Sequence, residues 1–528
     1  ITNTASSLAS KGSVSADINV NNVVSKFTNM LQRAARGPER RTTKNKQKRT
    51  NKPWFDSNCK FKLRYIRSLC KKLKSKPWEK DLRLKIMYER KMLKKTIRKN
   101  HRLFKKNILD KLISGENNSS NFWELVNKIK KNKKQDLSLN ISAKEWIEYF
   151  SKLMNGTQPD NFTIDNEPGS DNNTNRDSQN LNAEITAEEI ITALKSLKNK
   201  KSCGPDQILN EMIRISCNFD VTAFVKIFNM ILNTGVYPDS WRDNFIKPIF
   251  KGGSCNDPSN YRGIALTSTL SKLFTRIMYN RLQVYLQDND LIAKEQIGFK
   301  PGSRTSDHIF TLKTMIDNMF KKKKYLYVCF VDFRKAFDLV NRKALLYKLQ
   351  LYSIDGKFFN IMESMYKEVR FSVKLGNTST PPFKTSVGVK QGCVLSPTLF
   401  SIYINDMVNI FKDPDCHPVC INDQNISCLL YADDLVIVSQ SDLGLQTAIS
   451  KLSNYCVKWN LEINLNKTQI MVFNKAGRNI KTRKFYFNEN IIEMATEYKY
   501  LGVIFKPSGS FTHAVKHLIF KAKKAMFS

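Results

Sequence analysis

The sequence lacks an apolar run long enough to span a bilayer, and its first residues lack the charged-then-apolar pattern of a signal peptide. Acidic residues are also scarce, since 47 Asp and Glu stand against 87 Lys and Arg, for a formal net charge of +40. The first absence argues against a membrane protein, so we expect an intracellular chain without a membrane partner. The second predicts that its partners are polyanions, nucleic acid above all.

Cysteines are too sparse for a disulfide framework, at 11 in 528 residues. Cys416, His417 and Cys420 have a metal-binding pattern, but no second pair follows at zinc-finger spacing. We therefore prefer an ordinary polar loop, with a zinc site as the alternative. The chain begins with Ile1 and stops at Ser528 inside a basic stretch, which we interpret as a fragment at both ends.

Composition divides the first third of the chain into three segments. Residues 1–36 are a polar leader without an assigned role, in which residues 20–31 predict a short amphipathic helix. Residues 37–134 carry 33 Lys and Arg against 8 Asp and Glu. Residues 135–183 are predicted to be a polar linker, because the stretch from 155 to 182 is rich in Asn, Asp, Thr, Ser and Pro.

The basic segment 37–134 is predicted to be a helical arm that binds nucleic acid. Apolar residues recur at helical spacing over 61–73 and 82–112, and Pro77 separates the two helices. A solvated helix face is the alternative, but the excess of one charge sign is too large for salt bridges and favours phosphate binding. Trp54 and Trp78 could stack on bases or be buried.

Three carboxylates stand at the ends of predicted strands. The apolar run 325–331 predicts a buried strand that ends in Asp332. Two short apolar runs flank Asp433 and Asp434, which predicts a hairpin with both acids at its turn. Such a cluster suits Mg²⁺ and two-metal phosphoryl transfer, whereas the alternative is a polar hairpin tip on an ordinary sheet. Between these acids, the glycine-punctuated stretch 388–397 predicts a turn that opens a helix from Pro397 to Phe411.

Several blocks resemble, in order and spacing, the reverse transcriptases of LINE-type (non-LTR) retrotransposons. The main ones are Phe330–Asp338 (FVDFRKAFD), Gln391–Pro397 (QGCVLSP) and Tyr431–Asp434 (YADD). The supporting blocks are Lys201–Asp206, Ile249–Gly253, Asn260–Ser268, Gly298–Asp307 and Tyr500–Gly502. The resemblance extends from about Leu197 to the C-terminus.

The resemblance implies an α+β fold of the right-hand polymerase type, preceded by the basic helical arm. The fingers would span residues 184–320 and the palm, with a small antiparallel sheet, residues 321–475. The primer-grip hairpin and the start of the thumb would span residues 476–528. The reverse transcriptase domain as a whole would cover about 230–506.

By the same resemblance, Asp332, Asp433 and Asp434 would be the catalytic acids and would ligate two Mg²⁺ ions, for which Mn²⁺ could substitute. Phe337 would occupy the sugar gate, where an aromatic ring clashes with a 2′-hydroxyl. Core packing is the simpler interpretation of that ring, and both roles are compatible.

Five further residues receive roles from the resemblance. Gln391 and Gly392 would line the nucleotide and template pocket. Lys251 and Arg262 would contact the triphosphate, or else the template backbone. Lys467 would protonate pyrophosphate, or else be a surface lysine.

The implied activity is RNA-directed DNA polymerisation during target-primed insertion of the element's own RNA. The expected partners are an RNA template, a DNA primer or target and deoxynucleoside triphosphates, with an endonuclease outside this sequence. Nucleus and cytoplasm are the expected locations, and the run 40–52 resembles a nuclear import signal. Two alternatives are a group II intron-type reverse transcriptase or maturase and a catalytically inactive, element-derived RNA-binding protein.

Overall fold

The computed structural model describes residues 16–36, 52–113, 141–155, 176, 178–478 and 483–527. The chain separates into two compact units, residues 38–136 and residues 1–37 together with 137–528. Most of the predicted import signal, residues 40–51, and residues 156–175 of the predicted linker lie outside the described residues.

Helices and strands alternate irregularly along the described residues, and the two helices within residues 57–113 belong to the smaller unit. The helices are α1 (Ala16–Arg36), α2 (Ser57–Ser75), α3 (Lys80–Ile113), α4 (Ala143–Met154), α5 (Gln179–Asn182), α6 (Ala187–Ser196), α7 (Asn210–Phe219), α8 (Thr222–Thr234), α9 (Thr269–Asp288), α10 (Thr305–Lys321), α11 (Arg342–Leu351), α12 (Gly356–Lys367), α13 (Ser396–Tyr403), α14 (Met407–Ile410), α15 (Asp442–Lys458) and α16 (Thr512–Phe527). The strands are β1 (Asp243–Phe250), β2 (Tyr261–Thr267), β3 (Leu326–Asp332), β4 (Val369–Leu375), β5 (Thr378–Ser379), β6 (Phe383–Thr385), β7 (Val419–Ile421), β8 (Gln424–Ile426), β9 (Cys428–Tyr431), β10 (Asp434–Ser439), β11 (Gln469–Phe473), β12 (Phe485–Phe487), β13 (Asn490–Met494), β14 (Tyr498–Tyr500) and β15 (Val503–Phe505).

Strand β3 lies inside a six-stranded sheet with the order β12-β13-β11-β3-β10-β9. Its side chains alternate between two apolar clusters, with Cys329 and Val331 in one and Val328 and Phe330 in the other. Because both faces of the sheet are covered, the strand reads as a continuous apolar run in the sequence. The prediction of a buried strand that ends in Asp332 is confirmed.

The antiparallel sheet predicted for residues 321–475 is confirmed for β11, β3, β10 and β9, and the sheet contains one parallel pair beyond them. Strands β11 and β13 pair in parallel, with Gln469 opposite Glu493, whereas β11, β3, β10 and β9 run antiparallel to their neighbours. The β12–β13 hairpin reverses the chain just before β13, and this reversal sets β13 in the direction of β11. The sheet is therefore mixed.

A second sheet carries the basic residues of the predicted site. Its order is β2-β1-β4-β5, and β6 also pairs with β4. Strands β1 and β2 form an antiparallel hairpin in which Ile249 lies opposite Arg262, while β1 and β4 are parallel. This hairpin positions Arg262 and, just beyond the end of β1, Lys251.

The predicted polar linker 135–183 is wrong over residues 143–154, which form helix α4. Ser142 and Glu145 make a capping box at its N-terminus. Trp146, Phe150 and Met154 recur every four residues and are buried in the main core. The helix forms because this apolar stripe is buried, although its flanks are polar.

The leader and the helix after the glycine-rich turn also differ from expectation. The helix predicted over residues 20–31 extends over Ala16–Arg36, and its Phe27 packs edge-on against Phe224 at 5.0 Å in the core of the larger unit.

The helix predicted from Pro397 to Phe411 breaks into α13 and α14 at residues 404–406. There the Asn405 side chain donates to the carbonyl of Leu291 at 2.7 Å, so a tertiary contact replaces helical continuity.

Within the smaller unit, the basic helices α2 and α3 pack as a pair, as predicted. Asp56 caps α2, and a small core of Cys59, Ile66 and Leu93 joins the helices. Trp54 packs edge-on against His101 at 4.5 Å. Trp78 is 78% exposed, so burial is the wrong interpretation for this residue.

No single helix in the described ranges is long and apolar enough to cross a membrane. Together α7 and α8 pass that test by length and composition only, with a bend of 109° between them. Much of α8 is buried in the main core.

Candidate active site

A hairpin of β9 and β10 presents the two adjacent acids, as the sequence predicts. Its turn places Ala432 at φ +57°, a left-handed conformation that alanine rarely adopts. The buried side chain of Gln296 holds this turn, because its Oε1 accepts from the backbone N–H of Ala432 at 3.0 Å and from that of Gly298 at 2.8 Å. The strained turn is thereby fixed from outside the hairpin.

The three predicted carboxylates meet at one edge of the six-stranded sheet. Asp434 lies directly opposite Asp332 in the β10–β3 ladder, and Asp433 occupies the turn just before it. Partial burial, followed by repulsion from Asp433 and Asp332, raises the pKa of Asp434 to about 6. Burial also raises the pKa of Asp433, with a further contribution from Asp332. The three acids therefore form a region of net negative charge.

Asp332 is held by residues that follow helix α15. Its Oδ2 accepts from Asn464 Nδ2 at 3.0 Å and lies 3.4 Å from Lys467 Nζ. The backbone N–H of Asp332 donates to Thr468 Oγ1 at 3.2 Å. Lys467, for which the resemblance implies a role as proton donor, is thus brought to the carboxylates.

The donor set fits a hard divalent cation, because carboxylate oxygens are the ligands that Mg²⁺ prefers and repulsion between acids is relieved by a bound cation. In the part of the chain that the structure describes, no group of three or more His, Cys, Asp or Glu side chains is arranged so that these side chains alone could hold a metal ion. Mg²⁺ sites in phosphoryl-transfer enzymes commonly take substrate phosphates and water as further ligands, so an open site is compatible with this chemistry.

A cavity of about 610 Å³ adjoins the acids and contains most of the other predicted residues. Those that line it are Lys251, Arg262, Phe337, Gln391, Gly392 and Asp433. The lining residues do not include Asp332, Asp434 and Lys467. Cations, an aromatic ring and a glycine-rich turn therefore surround one space with a carboxylate at its edge.

The packing of Phe337 and of the glycine-rich turn is well defined. The Phe337 ring stacks on Phe400 at 4.4 Å and meets Phe299 edge-on at 6.4 Å, so it is half in the core and half in the cavity. Gln391 donates from Nε2 to Asp338. Gly392 has φ +78°, and a Cβ there would lie 2.9 Å from the carbonyl oxygen of Ala265, so this close approach of turn and β2 needs glycine.

Residues 249–505 match the model of the family described as "Reverse transcriptase (RNA-dependent DNA polymerase)". The chain is 29% identical over 326 residues to the "Probable RNA-directed DNA polymerase from transposon BS" of Drosophila melanogaster, covering 60% of this chain and 35% of that protein. It is 30% identical over 342 residues to the "RNA-directed DNA polymerase from mobile element jockey" of Drosophila funebris, covering 63% and 36%. This region is a reverse transcriptase domain of the LINE type.

A further relative is the "Retrovirus-related Pol polyprotein from type-1 retrotransposable element R2" of Nasonia vitripennis, 26% identical over 63% of this chain and 32% of that protein. The chain thus spans about a third of the length of these curated relatives. A solved structure of apo telomerase from Candida Tropicalis aligns with 52% of this chain and 55% of its own, with a TM-score of 0.36 and 16% identity. A likeness of that size does not establish a shared fold. The family prediction is confirmed by the domain match and the relatives, and membership implies dependence on divalent metal ions.

Sequence reasoning missed two parts of the reverse transcriptase domain's site. Gln296, which fixes the YADD turn, has no sequence signal beyond its place two residues before Gly298. Helix α4 lines the cavity with Tyr149 and Leu153, and its Trp146-to-Phe150 spacing was the available signal. Both were missed because their contacts join distant segments of the chain.

Two other sequence features have structural explanations. Cys416 is buried at the end of a short turn, and the ring Nδ1 of His417 hydrogen-bonds with Ser441 Oγ. At the turn near Gly204, in the block Lys201–Asp206, an added Cβ would lie 2.3 Å from the Thr267 carbonyl oxygen. The same segment supplies Asp206, which accepts from the N–H of Thr269 at 2.8 Å. This turn is therefore an element of the fold that packs on the N-terminus of α9.

Proposed function

We propose that this chain is an RNA-directed DNA polymerase that extends a DNA primer on an RNA template with deoxynucleoside triphosphates. The observation that carries the proposal is the convergence of Asp332, Asp433 and Asp434 beside a cavity that also holds Lys251 and Arg262. Negative oxygens for cations and positive side chains for phosphates are the two requirements of nucleotidyl transfer. The reverse transcriptase domain and its relatives support the same activity.

In this proposal, Asp332, Asp433 and Asp434 would hold two Mg²⁺ ions, or Mn²⁺ in their place. When bound, such ions would lower the pKa of the primer 3′-hydroxyl and stabilise the charge of the leaving pyrophosphate. Asn464 orients the Asp332 carboxylate through its 3.0 Å hydrogen bond. Lys467, 3.4 Å from the same carboxylate, would donate a proton to the leaving group.

The cavity residues would bind and select the nucleotide. Lys251 and Arg262 are exposed and can bind the triphosphate through charge-assisted hydrogen bonds. Phe337 would exclude a 2′-hydroxyl, because its ring is fixed from behind by Phe400. Gln391 and Gly392 would form the wall next to the nascent base pair.

The domain assignment is part of this proposal. Strands β1 and β2 of the second sheet, with the helices around them, would belong to the fingers, residues 184–320. Strands β3, β9, β10 and β11 of the six-stranded sheet would belong to the palm, residues 321–475. The primer-grip hairpin would be β14 and β15, with α16 as the start of the thumb, within residues 476–528. We further propose that the basic arm 37–134 binds RNA, and that insertion requires an endonuclease outside this sequence.

Primer extension on an RNA template tests the proposed activity. We expect magnesium-dependent extension by the wild-type protein and loss of at least about 10³-fold in rate for Asp433→Asn, because the charge next to the reacting phosphate is removed. Equal inertness of wild type and variant, with RNA binding retained, would instead identify a catalytically inactive RNA-binding protein.

A further inference from the structure

Helix α4 is anchored to β2 on one side and to β6 and the residue after it at its C-terminal end. On one side, Trp146 meets Tyr261 of β2 edge-on at 5.1 Å. A Cβ at Gly263 would lie 2.9 Å from Cε1 of Phe150, so the helix lies directly against β2. On the other side, Asn155 donates to the Lys384 carbonyl at 2.9 Å and accepts from the N–H of Ser386 at 2.9 Å.

Four residues of the anchored helix line the cavity: Tyr149, Leu153 and the buried Phe150 and Met154. Tyr149 and Leu153, one helical turn apart, are half-buried and line it, whereas Glu148 and Lys152 beside them are exposed and do not. Tyr149 packs edge-on against Phe150 at 5.1 Å, and Phe150 stacks on Trp146 at 5.6 Å. The Tyr149 ring is therefore supported by an aromatic stack and presents apolar surface to the cavity.

The walls of the cavity differ in chemistry, and each wall suits a different part of a nucleotide. Lys251 and Arg262 suit the triphosphate, and Phe337 suits the sugar. The Tyr149 ring and Leu153 offer neither charge nor a metal ligand, but an aromatic ring stacks well on a nucleobase.

We propose that Tyr149 is a substrate-contacting residue, whose ring packs against the base pair between the RNA template and the incoming deoxynucleotide. This rests on the proposed polymerase function. It assigns a nucleotide contact to a helix that precedes the matched domain 249–505. The simpler alternative is that α4 only holds β2 and β6 of the second sheet in place.

The test uses the full chain with poly(rA) template, oligo(dT) primer and dTTP. We expect Tyr149→Ala to raise the KM for dTTP by about tenfold while kcat changes less than about threefold, because the contact is made in binding. Tyr149→Phe should restore the KM to within about twofold of the wild type, since the ring carries the contact. Glu148→Ala, on the same helix but outside the cavity, is the matched control and should resemble the wild type.

Thermal unfolding distinguishes a residue that contacts substrate from one that only holds helix α4 in place. Asn155→Ala removes an anchor of α4 and should lower the Tm, whereas Tyr149→Ala should change the Tm by less than about 2 °C. The proposal would be overturned if the KM for dTTP were unchanged in Tyr149→Ala. It would also be overturned if Tyr149→Ala raised the KM and lowered the Tm to the same extent as Asn155→Ala.

Nucleotide binding without turnover separates this inference from the polymerase function. In Ca²⁺, the Kd of the primer–template complex for dTTP should rise about tenfold in Tyr149→Ala. If the wild type fails to extend primers, the polymerase function is wrong, and this Kd still decides whether Tyr149 contacts nucleotide. Equal Kd values for wild type and Tyr149→Ala would reject the contact.

Discussion

The carboxyl group of Asp434 would be neutralised by a cation in the active protein, but in its absence it is destabilising. Burial and the neighbouring acids raise its pKa to about 6 in the folded state, above the ordinary value of 3.8. The folded state therefore binds this proton more tightly than the unfolded state does. The resulting penalty on the free energy of unfolding is full above pH 6 and disappears as the pH falls below about 4.

We predict that Asp434→Asn raises the Tm of the protein in EDTA at pH 8 by about 2 °C, because it removes a repelled charge. The gain should shrink as the pH is lowered through 6 towards 4, since the wild-type carboxyl becomes neutral there. Thermal unfolding across this pH range is the measurement, with Glu489→Gln, an exposed carboxylate in a hairpin turn, as control. A gain that persists at low pH would show that charge is not its source.

Phe337 offers a second test at the scale of one residue. Replacing it with Val removes the ring that stacks on Phe400 and opens space for a 2′-hydroxyl. We expect the ratio of kcat/KM for ribonucleotides to that for deoxynucleotides to rise at least about tenfold. Phe310→Val, on an exposed ring of α10, is the control. An unchanged ratio would leave Phe337 as a core residue only.

Among the structural elements, the turn at residues 296–298 controls the YADD hairpin. Gln296 accepts two backbone hydrogen bonds and fixes Ala432 in a left-handed conformation. A Cβ at Gly298 would lie 2.1 Å from the nitrogen of Ala432, so the two segments are in direct contact.

We predict that Gln296→Met lowers kcat by about 10²-fold with little change in the KM for nucleotide, because the acids lose their fixed geometry while the cavity persists. Steady-state primer extension measures both constants, and Gln287→Met on the exposed face of α9 is the control. A change confined to KM would contradict this positioning role.

Local sequence patterns correctly predicted the helices and strands that depend mainly on their own residues. The apolar run before Asp332 and the paired runs around Asp433 specify strands because period and burial are local properties. The parallel β11–β13 pair, the break at residues 404–406 and the insertion of α4 depend on contacts between distant segments. No local pattern encodes those contacts. The convergence of Lys251, Arg262 and Phe337 on one cavity came only through family resemblance.

For the whole molecule, the dominant feature is its positive charge. Between residues 52 and 113 there are 22 Lys and Arg against 5 Asp and Glu, on a helical pair with a very small core. Such a surface binds phosphates with release of counterions, so its contribution to affinity depends on salt.

We predict that Gln in place of Lys91, Lys94, Lys95 and Lys99 weakens RNA binding and lowers the slope of log Kd against log salt by up to about 4. Filter binding across a salt series measures the slope. The same change at Lys321–Lys324, four exposed lysines of the larger unit, is the control with equal charge loss. Equal effects in both variants would refute a special role for the arm.

The most direct test of the central claim is the position of Mn²⁺ in a crystal of the complex with RNA template, DNA primer and deoxynucleotide. Our account predicts anomalous density between the carboxylates of Asp332 and Asp433, and its loss in Asp433→Asn. Well-ordered nucleotide in the cavity without metal at these carboxylates, or with metal bound elsewhere, would contradict it.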